Sequence, residues 1–284
     1  MILLFNIFDV YIYIYMFKNV IVVSNPRYYY IKNKMKNNVI NQKAKQQWTH
    51  LIQLISQYNN NIYKLESNRD VKLQVFIEKY ILIINNILFI PFKNLPYYQL
   101  FVHFFKKNGY RIVKLPYIFN GSRNMKYSHN KNYLWCGYND IQSLETIQSI
   151  YKHINHSISP IFICLNLINN NYKQLAKCFC PLDSEHCLVY KEAFSNQSYQ
   201  FLLDKYGKEG IINITNKDAS DFVTDSIYIG NNNSTNNIVG YLILYKCSSQ
   251  LKQKLLSIGI IVINCNISEF ILSGISIGGL IYKI

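Results

Sequence analysis

The chain alternates apolar, strand-like runs with amphipathic, helix-like stretches, and this alternation repeats along most of its length. In the first unit the run 19–23 precedes a helical stretch with Trp48, Leu51 and Ile55 on one face, and 62–65 returns to strand. The pattern recurs at intervals of roughly 50 residues, a length in the range of solenoid and propeller repeats. It predicts an α/β fold of about five βαβ-type units; a doubly wound parallel sheet would show the same alternation.

The other four units contain elements of ordinary length. Gly109 follows the second predicted helix, and a glycine commonly ends a helix in this way. The second unit is predicted as strand 81–92, helix 96–108 and strand 110–115, and the third as strand 133–136, helix 141–155 and strand 160–165. The fourth is predicted as strand 187–190, helix 196–206 and strand 210–215. The fifth is predicted as strands 226–229 and 239–245, helix 248–257 and strand 260–265.

The chain is strongly basic, with 30 Lys and Arg against 15 Asp and Glu and a formal net charge of +15. The lysines are scattered, for example at Lys32, Lys34 and Lys36 and again at Lys252 and Lys254, without a long basic block. A diffuse positive field is a weak footprint for nucleic acid, so the pattern argues against a nucleic-acid partner. A basic protein that binds nucleic acid or an anionic membrane is kept as an alternative.

Seven unevenly spaced cysteines argue against a disulfide framework and favour a reducing compartment, so we expect a cytoplasmic protein. Cys178, Cys180, His186 and Cys187 lie close in sequence, but their spacing matches no zinc pattern. We interpret them as strand residues facing the core and expect neither a metal nor a cofactor.

Residues 1–17 form an apolar stretch that is barely long enough to span a bilayer and lacks a basic segment at its start. Asn6 and Asp9 interrupt it. It is interpreted either as a weak signal anchor or as an extension ahead of a start at Met16. We therefore predict one domain over 18–284 and no membrane association unless residues 1–17 act as an anchor.

Five stretches resemble motifs of one enzyme superfamily, in the same order. They resemble its opening strand, its Q-W-x-x-L helix, its F-E-G-x-G-D segment with the L-W-x-G-Y strand, its H-L-D-T-x-x-x-P-L segment, and its C-terminal S-E-F-x-x-x-G-G-x-x-x-C-L. In the same order, the five stretches of this chain are VIVVSNPRYYYIKNKM (20–35), QQWTHL (46–51), LPYIFNGSRNMKYSHNKNYLWCGY (115–138), QLAKCFCPLDSEHCLVYKEAF (174–194) and SEFILSGISIGGL (268–280). On these residues the chain resembles the guanidine-modifying (pentein) superfamily, which includes dimethylarginine dimethylaminohydrolases and amidinotransferases. The resemblance implies a five-bladed α/β propeller of about five ββαβ units with pseudo-fivefold symmetry and a site in its central channel.

The family's chemistry needs a cysteine thiolate that attacks the guanidinium carbon, a histidine that moves protons, and acids that clamp the cation. On the motifs above, the nucleophile's position holds Gly279 and the histidine's position holds Gln174. The acids of F-E-G-x-G-D become Asn120 and Asn124. Glycine supplies no sulfur and glutamine does not titrate near neutral pH, so the resemblance implies a catalytically inactive member.

Two further positions complete the predicted ligand-binding set. The acid of the family's P-D-x-V-F strand is aligned with Asn86, and Asp225 stands where relatives favour asparagine. We predict that Asn86, Asn124 and Asp225 line the site. The ligand expected for these residues is an arginine-like small molecule. The retained positions belong to the scaffold: Trp48, Phe119, Gly121, Trp135, Gly137, Pro181, Leu182, Phe194, Ser268, Glu269, Phe270 and Gly274.

Loss of the chemistry with retention of the scaffold indicates a pseudoenzyme that binds a ligand or a protein partner. One alternative is an active hydrolase or transferase of the same superfamily, with a rearranged site for an arginine-like or neutral amide substrate. That alternative would pair Cys178 or Cys180 with His186, although buried apolar cysteines are the simpler interpretation.

Overall fold

The structure is a computed structural model. It describes residues 21–27, 29, 40–59, 61–67, 69, 74–91, 96–116, 120–155, 159–231 and 238–283. The apolar stretch 1–17 and the scaffold residue Phe119 lie outside the described residues. No helix in the described part of the chain is long and apolar enough to cross a bilayer.

The described residues form fifteen β-strands and seven α-helices. The strands are β1 (Ile21–Ser24), β2 (Ile62–Leu65), β3 (Leu82–Ile84), β4 (Ile87–Pro91), β5 (Arg111–Leu115), β6 (Met125–Tyr127), β7 (Tyr133–Tyr138), β8 (Ile161–Asn166), β9 (Phe179–Pro181), β10 (Cys187–Val189), β11 (Ile211–Asn213), β12 (Ile227–Gly230), β13 (Gly240–Leu244), β14 (Ile260–Asn264) and β15 (Ile281–Lys283). The helices are α1 (Ile40–Ser56), α2 (Pro96–Lys107), α3 (Ile141–Lys152), α4 (Asn196–Gly210), α5 (Asn216–Ser220), α6 (Ser249–Ser257) and α7 (Ser268–Ile271).

The strands pair into five three-stranded sheets: β15-β1-β2, β3-β4-β5, β6-β7-β8, β9-β10-β11 and β12-β13-β14. In each sheet the middle strand is antiparallel to the first strand and parallel to the third. Parallel neighbours need a crossover, and in each unit a helix supplies it between the middle and third strands. The predicted α/β fold of five ββαβ units is confirmed.

The two ends of the chain complete the same unit. Strand β15 pairs with β1, with Ile21 opposite Lys283 and Val23 opposite Ile281. Nearby, Gln47 Nε2 donates to Ser268 Oγ at 2.9 Å. The retained Q-W and S-E-F motifs therefore contact each other and join the first and last helices of the fold.

Two details differ from the sequence prediction. The run 81–92 is not one strand, because the chain turns at Asn85, whose φ of 53° is left-handed, and forms the hairpin β3–β4. Asparagine adopts this conformation more readily than most residues. The strands β6 and β15 were not predicted, because three residues are too few to show an alternating pattern. Strand β9 includes Cys180, which was interpreted as a strand residue facing the core.

The first strands of the five units border one cavity, which we call the central channel. Leu82, Met125, Cys180, Ile227 and Ile281 each contribute to its lining from one of these strands. Short 3₁₀ helices precede or lie close to four of the five strands: Ile77–Lys79, Gly121–Asn124, Leu175–Lys177 and Ile277–Leu280. These helices pack on one another at one end of the channel, so the motif positions of different units meet there.

Gly121 is predicted to be essential for this packing. Its φ is +55°, and a Cβ there would lie 2.2 Å from the backbone oxygen of Glu78. At Gly109 φ is +79°, but a Cβ would meet no atom within 4 Å. We expect Gly109→Ala to lower the free energy of unfolding by about 1 kcal/mol, through backbone strain alone, and Gly121→Ala by about 3 kcal/mol or more. Urea denaturation measures both; equal losses would contradict the close approach at Gly121.

Candidate functional site

A buried guanidinium lies at the packed end of the channel. The side chain of Arg123 is 0% exposed. Its Nε donates to Gln174 Oε1 at 2.9 Å, and Nη2 donates to Asp225 Oδ2 at 3.1 Å. Nη1 lies 3.4 Å from Asp225 Oδ1 and 3.7 Å from Glu78 Oε2. One amide and two carboxylates therefore surround the planar cation.

These four side chains come from four different units. Arg123 lies in the 3₁₀ helix before β6, and Gln174 immediately precedes the 3₁₀ helix before β9. Asp225 stands two residues before β12, and Glu78 belongs to the 3₁₀ helix before β3. The repeated geometry of the units thus converges four distant segments on one point. We call Arg123, Asp225, Glu78 and Gln174 the guanidinium cluster.

Asp225 is the anchor of the cluster. Its side chain is fully buried. Besides Arg123, its Oδ2 accepts from the backbone N–H of Ser276 at 2.9 Å, and its backbone oxygen accepts from Gly278 N–H at 3.0 Å. A buried carboxylate is tolerated when a cation and further donors satisfy it, and both are present here.

Glu78 connects the cluster to the open part of the channel. Its Oε1 accepts from Lys126 Nζ, and Lys126 is partly exposed. Burial raises the pKa of Glu78, while the charges of Lys126 and Arg123 act in the opposite direction. The carboxyl therefore balances two cations, one buried and one that reaches towards solvent.

Gly279, which the sequence motif aligns with the family's nucleophile, lies against this guanidinium. A Cβ on Gly279 would stand 2.7 Å from Arg123 Nη1 and 2.0 Å from Ile275 Cγ2. A Cβ on Gly278 would stand 2.5 Å from Asp225 Oδ1. A side chain at 278 would therefore meet Asp225, and one at 279 would meet Ile275 and Arg123, so the two glycines fit closely against the paired residues.

Known proteins give the same fold and related sequences, although no family model matches the chain. It is 27% identical over 181 residues to the bifunctional arginine dihydrolase/ornithine cyclodeaminase AgrE of Nostoc, a match that covers 63% of this chain and 24% of AgrE. It is also 27% identical over 207 residues to an uncharacterized protein of Caenorhabditis elegans, covering 71% of this chain and 72% of that protein. The chain spans about a quarter of the length of its cyanobacterial relatives.

Solved structures extend the similarity to nearly the whole chain. The N-terminal domain of ArgZ, a cyanobacterial arginine dihydrolase solved as a cysteine-to-serine variant with its substrate, superposes with a TM-score of 0.78 at 21% identity, covering 94% of this chain and 98% of that domain. A dimethylarginine dimethylaminohydrolase of Pseudomonas aeruginosa bound to citrulline gives a TM-score of 0.68 at 13% identity, covering 94% and 99%. The chain has the pentein fold.

Within this fold, two of the predicted site residues belong to the guanidinium cluster. Asp225 and Gln174 both bind Arg123. Gln174, at the position of the family's histidine, therefore uses its amide oxygen as a fixed acceptor.

The predicted asparagines are placed differently. Asn124 lies at the edge of the cluster, where its Oδ1 accepts from Leu175 N–H at 3.3 Å. Asn120 begins the 3₁₀ helix and contributes its backbone oxygen, which accepts from the N–H of Arg123 at 3.2 Å. Asn86 is exposed in the β3–β4 turn and does not join the cluster.

Arg123 and Glu78 were missed by the sequence analysis, although signals for both exist. Aligned by motif, Arg123 stands where the family's F-E-G-x-G-D segment has its second glycine. Val75-Phe76 matches the V-F of P-D-x-V-F as well as Leu88-Phe89 does, and Glu78 follows it by two residues. Choosing the second match placed Asn86 at the site in place of this segment.

The alternative Cys–His pair is not formed. His186 Nδ1 lies 3.0 Å from Asp183 Oδ2, whereas Cys180 Sγ lies 3.6 Å from Ser226 Oγ. Burial raises the pKa of Cys180 to about 11 and that of Cys178 well above its ordinary value. Both thiols therefore hold their protons at neutral pH and are poor nucleophiles.

This arrangement predicts a distinct alkylation pattern. Cys164 is exposed, whereas Cys178 and Cys180 are buried. At pH 7.5 we expect iodoacetamide to modify Cys164 at least about a hundredfold faster than either buried thiol, because only an accessible thiolate reacts. Mass spectrometry of tryptic peptides measures the rates. Unfolding in urea should equalise them, and rapid alkylation of native Cys180 would contradict the buried, protonated state.

Proposed function

We propose that this protein is a catalytically inactive pentein, in which its own Arg123 occupies the place where related enzymes hold a substrate guanidinium. The observation that supports the proposal most strongly is the position of Arg123 Nη1, which is 2.7 Å from where a side chain at Gly279 would begin. Residue 279 aligns with the family's nucleophile, so the arginine stands next to the point of attack.

The reaction of this family cannot begin in such a site. Formation of a thiouronium intermediate needs a sulfur that bonds to the guanidinium carbon, and Gly279 has no side chain. Departure of the amine needs a proton donor, whereas the amide of Gln174 does not titrate and is bound to Arg123. Both parts of the catalytic pair are absent from the positions where the motifs place them.

An external arginine would have to displace a group that is already well satisfied. Arg123 is tethered to the chain, fully buried, and hydrogen-bonded to both oxygens of Asp225. A free arginine would lose translational entropy and leave the displaced guanidinium to be accommodated elsewhere. We infer that arginine-like ligands do not enter this end of the channel.

The neutral-amide alternative has less support than inactivity. It requires an amide that faces open space, but the Oε1 of Gln174 accepts from Arg123 and Asn124 Oδ1 accepts from Leu175. What the geometry favours is retention of residues 18–284 as one binding or structural domain. The seven free cysteines fit a reducing compartment, and we propose the cytoplasm.

The proposal predicts no turnover of guanidine substrates. Purified protein incubated with L-arginine, methylated arginines or citrulline should release no citrulline, ornithine or ammonia above the rate in buffer, because the nucleophile is missing. The N-terminal domain of ArgZ assayed in parallel is the positive control. Gly279→Cys alone should also be inactive, since Ile275 and Arg123 leave its side chain no room. Turnover that disappears when one residue of this chain is changed would overturn the proposal.

A second prediction tests the occupancy of the site. Arg123→Ala leaves Asp225 buried without its cation, and we expect the free energy of unfolding to fall by about 3–5 kcal/mol. It also leaves a guanidinium-shaped space. Guanidinium chloride at low millimolar concentration should therefore raise the unfolding temperature of this variant but not that of the unmodified protein, and sodium chloride at equal ionic strength should not do so.

The matched control is Arg111→Ala, since Arg111 is exposed and donates to a backbone oxygen. It should cost less than about 1 kcal/mol and show no response to guanidinium. If Arg123→Ala does not fold, Arg123→Lys keeps the charge, removes the planar fork and should be intermediate in stability. Equal responses of Arg123→Ala and Arg111→Ala to guanidinium would show that the space beside Asp225 is not a guanidinium site.

A further inference from the structure

Two of the seven free cysteines stand directly opposite each other on neighbouring strands. Cys136 of β7 pairs with Cys164 of β8, and the two strands are parallel. Residues paired in this way point to the same face of a sheet, on strands roughly 5 Å apart. Burial raises the pKa of Cys136 well above its ordinary value, and the charge on Cys164 raises it further, so the two thiols interact.

The pair connects the interior to the surface. Cys136 is fully buried in a core cluster with Leu134 and Ile147, and its thiol donates to the backbone oxygen of Leu134 at 3.4 Å. Cys164 is exposed. Met125 of β6 pairs with Cys136 on its other side, so three sulfur-bearing residues form one row across the sheet. This row shares no residue with the guanidinium cluster.

The spacing of the two cysteines fits a bridging ion better than a disulfide. A disulfide needs Cβ atoms about 3.5–4.5 Å apart, which is less than the usual spacing of neighbouring strands. Two metal–sulfur bonds of about 2.3 Å each can join sulfurs that are up to about 4.6 Å apart. The interval between paired residues on parallel strands is therefore close to the span of one bound ion.

The ligand set selects the kind of ion. Within the described part of the chain, no group of three or more His, Cys, Asp or Glu side chains could hold a metal. Ions that need four or more nitrogen or oxygen ligands, such as Zn²⁺ and Mg²⁺, are therefore poorly served by this pair. Cu(I) accepts few ligands and prefers thiolate and thioether sulfur, which are the donors in this row.

We propose that Cys136 and Cys164 bind one Cu(I) ion as a pair of thiolates. The exposed Cys164 receives the ion, and Cys136 holds it from the interior. Cu(I) displaces the protons of both thiols to solvent, two copper–sulfur bonds form, and no electron is transferred. The thioether of Met125 provides a further soft donor beside the pair. The site does not depend on whether the protein is catalytically inactive.

Cu(I) itself is the probe that tests the proposal. The whole reduced chain is titrated without oxygen in the presence of bicinchoninate, whose coloured Cu(I) complex reports how much ion the protein withdraws. We expect the first equivalent to be withdrawn. Burial raises the pKa of both thiols, so two protons leave on binding, and the apparent Kd should fall about a hundredfold from pH 6.5 to 7.5. Binding by a single thiol would lower it only about tenfold.

Two variants separate the pair from the other thiols. Cys164→Ser removes one ligand at an exposed position and should weaken the binding of the first Cu(I) at least about a hundredfold. Cys247→Ser removes a partly exposed thiol that lies outside the strands, and it should leave the Kd unchanged. Cys136→Ser should weaken binding as Cys164→Ser does, provided that circular dichroism shows it to be folded.

Alkylation of the unmodified protein gives the location without any variant. One equivalent of Cu(I) should slow the reaction of Cys164 with iodoacetamide at least about tenfold and leave that of Cys247 unchanged, as read by mass spectrometry of tryptic peptides. No withdrawal of Cu(I) from the chelator, a tenfold rather than hundredfold effect of pH, equal Kd values for Cys164→Ser and Cys247→Ser, or an unprotected Cys164 would each overturn the proposal.

Discussion

A guanidinium that is removed from water needs counter-charges in fixed positions, and the pairing of Arg123 with Asp225 meets this need at the centre of the molecule. The two residues are 102 positions apart, in segments that precede β6 and β12. Their contact holds two units in register across the channel. Gln174 and Glu78, which also approach Arg123, come from two further units. Leaving either charge unpaired in the interior would cost free energy, and the backbone at 276–279 packs closely around the pair.

The structure gives Gly278 and Gly279 a packing role beside the pair of Arg123 and Asp225. From sequence, Gly279 is only the loss of a nucleophile. In the structure it is also what allows Arg123 to lie where it does, since a side chain there would meet Nη1. Gly279 and Arg123 therefore fit together in one packing arrangement. The neutral side chains of Asn120 and Asn124 are consistent with it, because Asp225 and Glu78 already supply the negative charge near the buried cation.

Periodicity indicated about five units, because the helices and the longer middle strands span enough residues to show it. It did not distinguish five ββαβ units from a doubly wound sheet, and that choice came from the resemblance of the motifs. The three-residue strand β6 and the turn at Asn85 could not be found in this way. The site was half predicted. Gln174 and Asp225 were singled out at motif positions, whereas Arg123 was not, because a comparison made for missing acids does not look for an additional cation. Its partners lie 51 and 102 residues away, a distance over which local patterns carry no information.

The position of Arg123 divides the channel into two parts with different chemistry. On its far side the charges are matched: the guanidinium, Asp225 and the amide of Gln174 satisfy one another without solvent. Towards the open end Glu78 is shared between Arg123 and Lys126, so one carboxylate links the buried cation to a partly exposed one. The buried arginine therefore takes part in the charge-matched end of the channel and, through Glu78, is coupled to the lining of its open part.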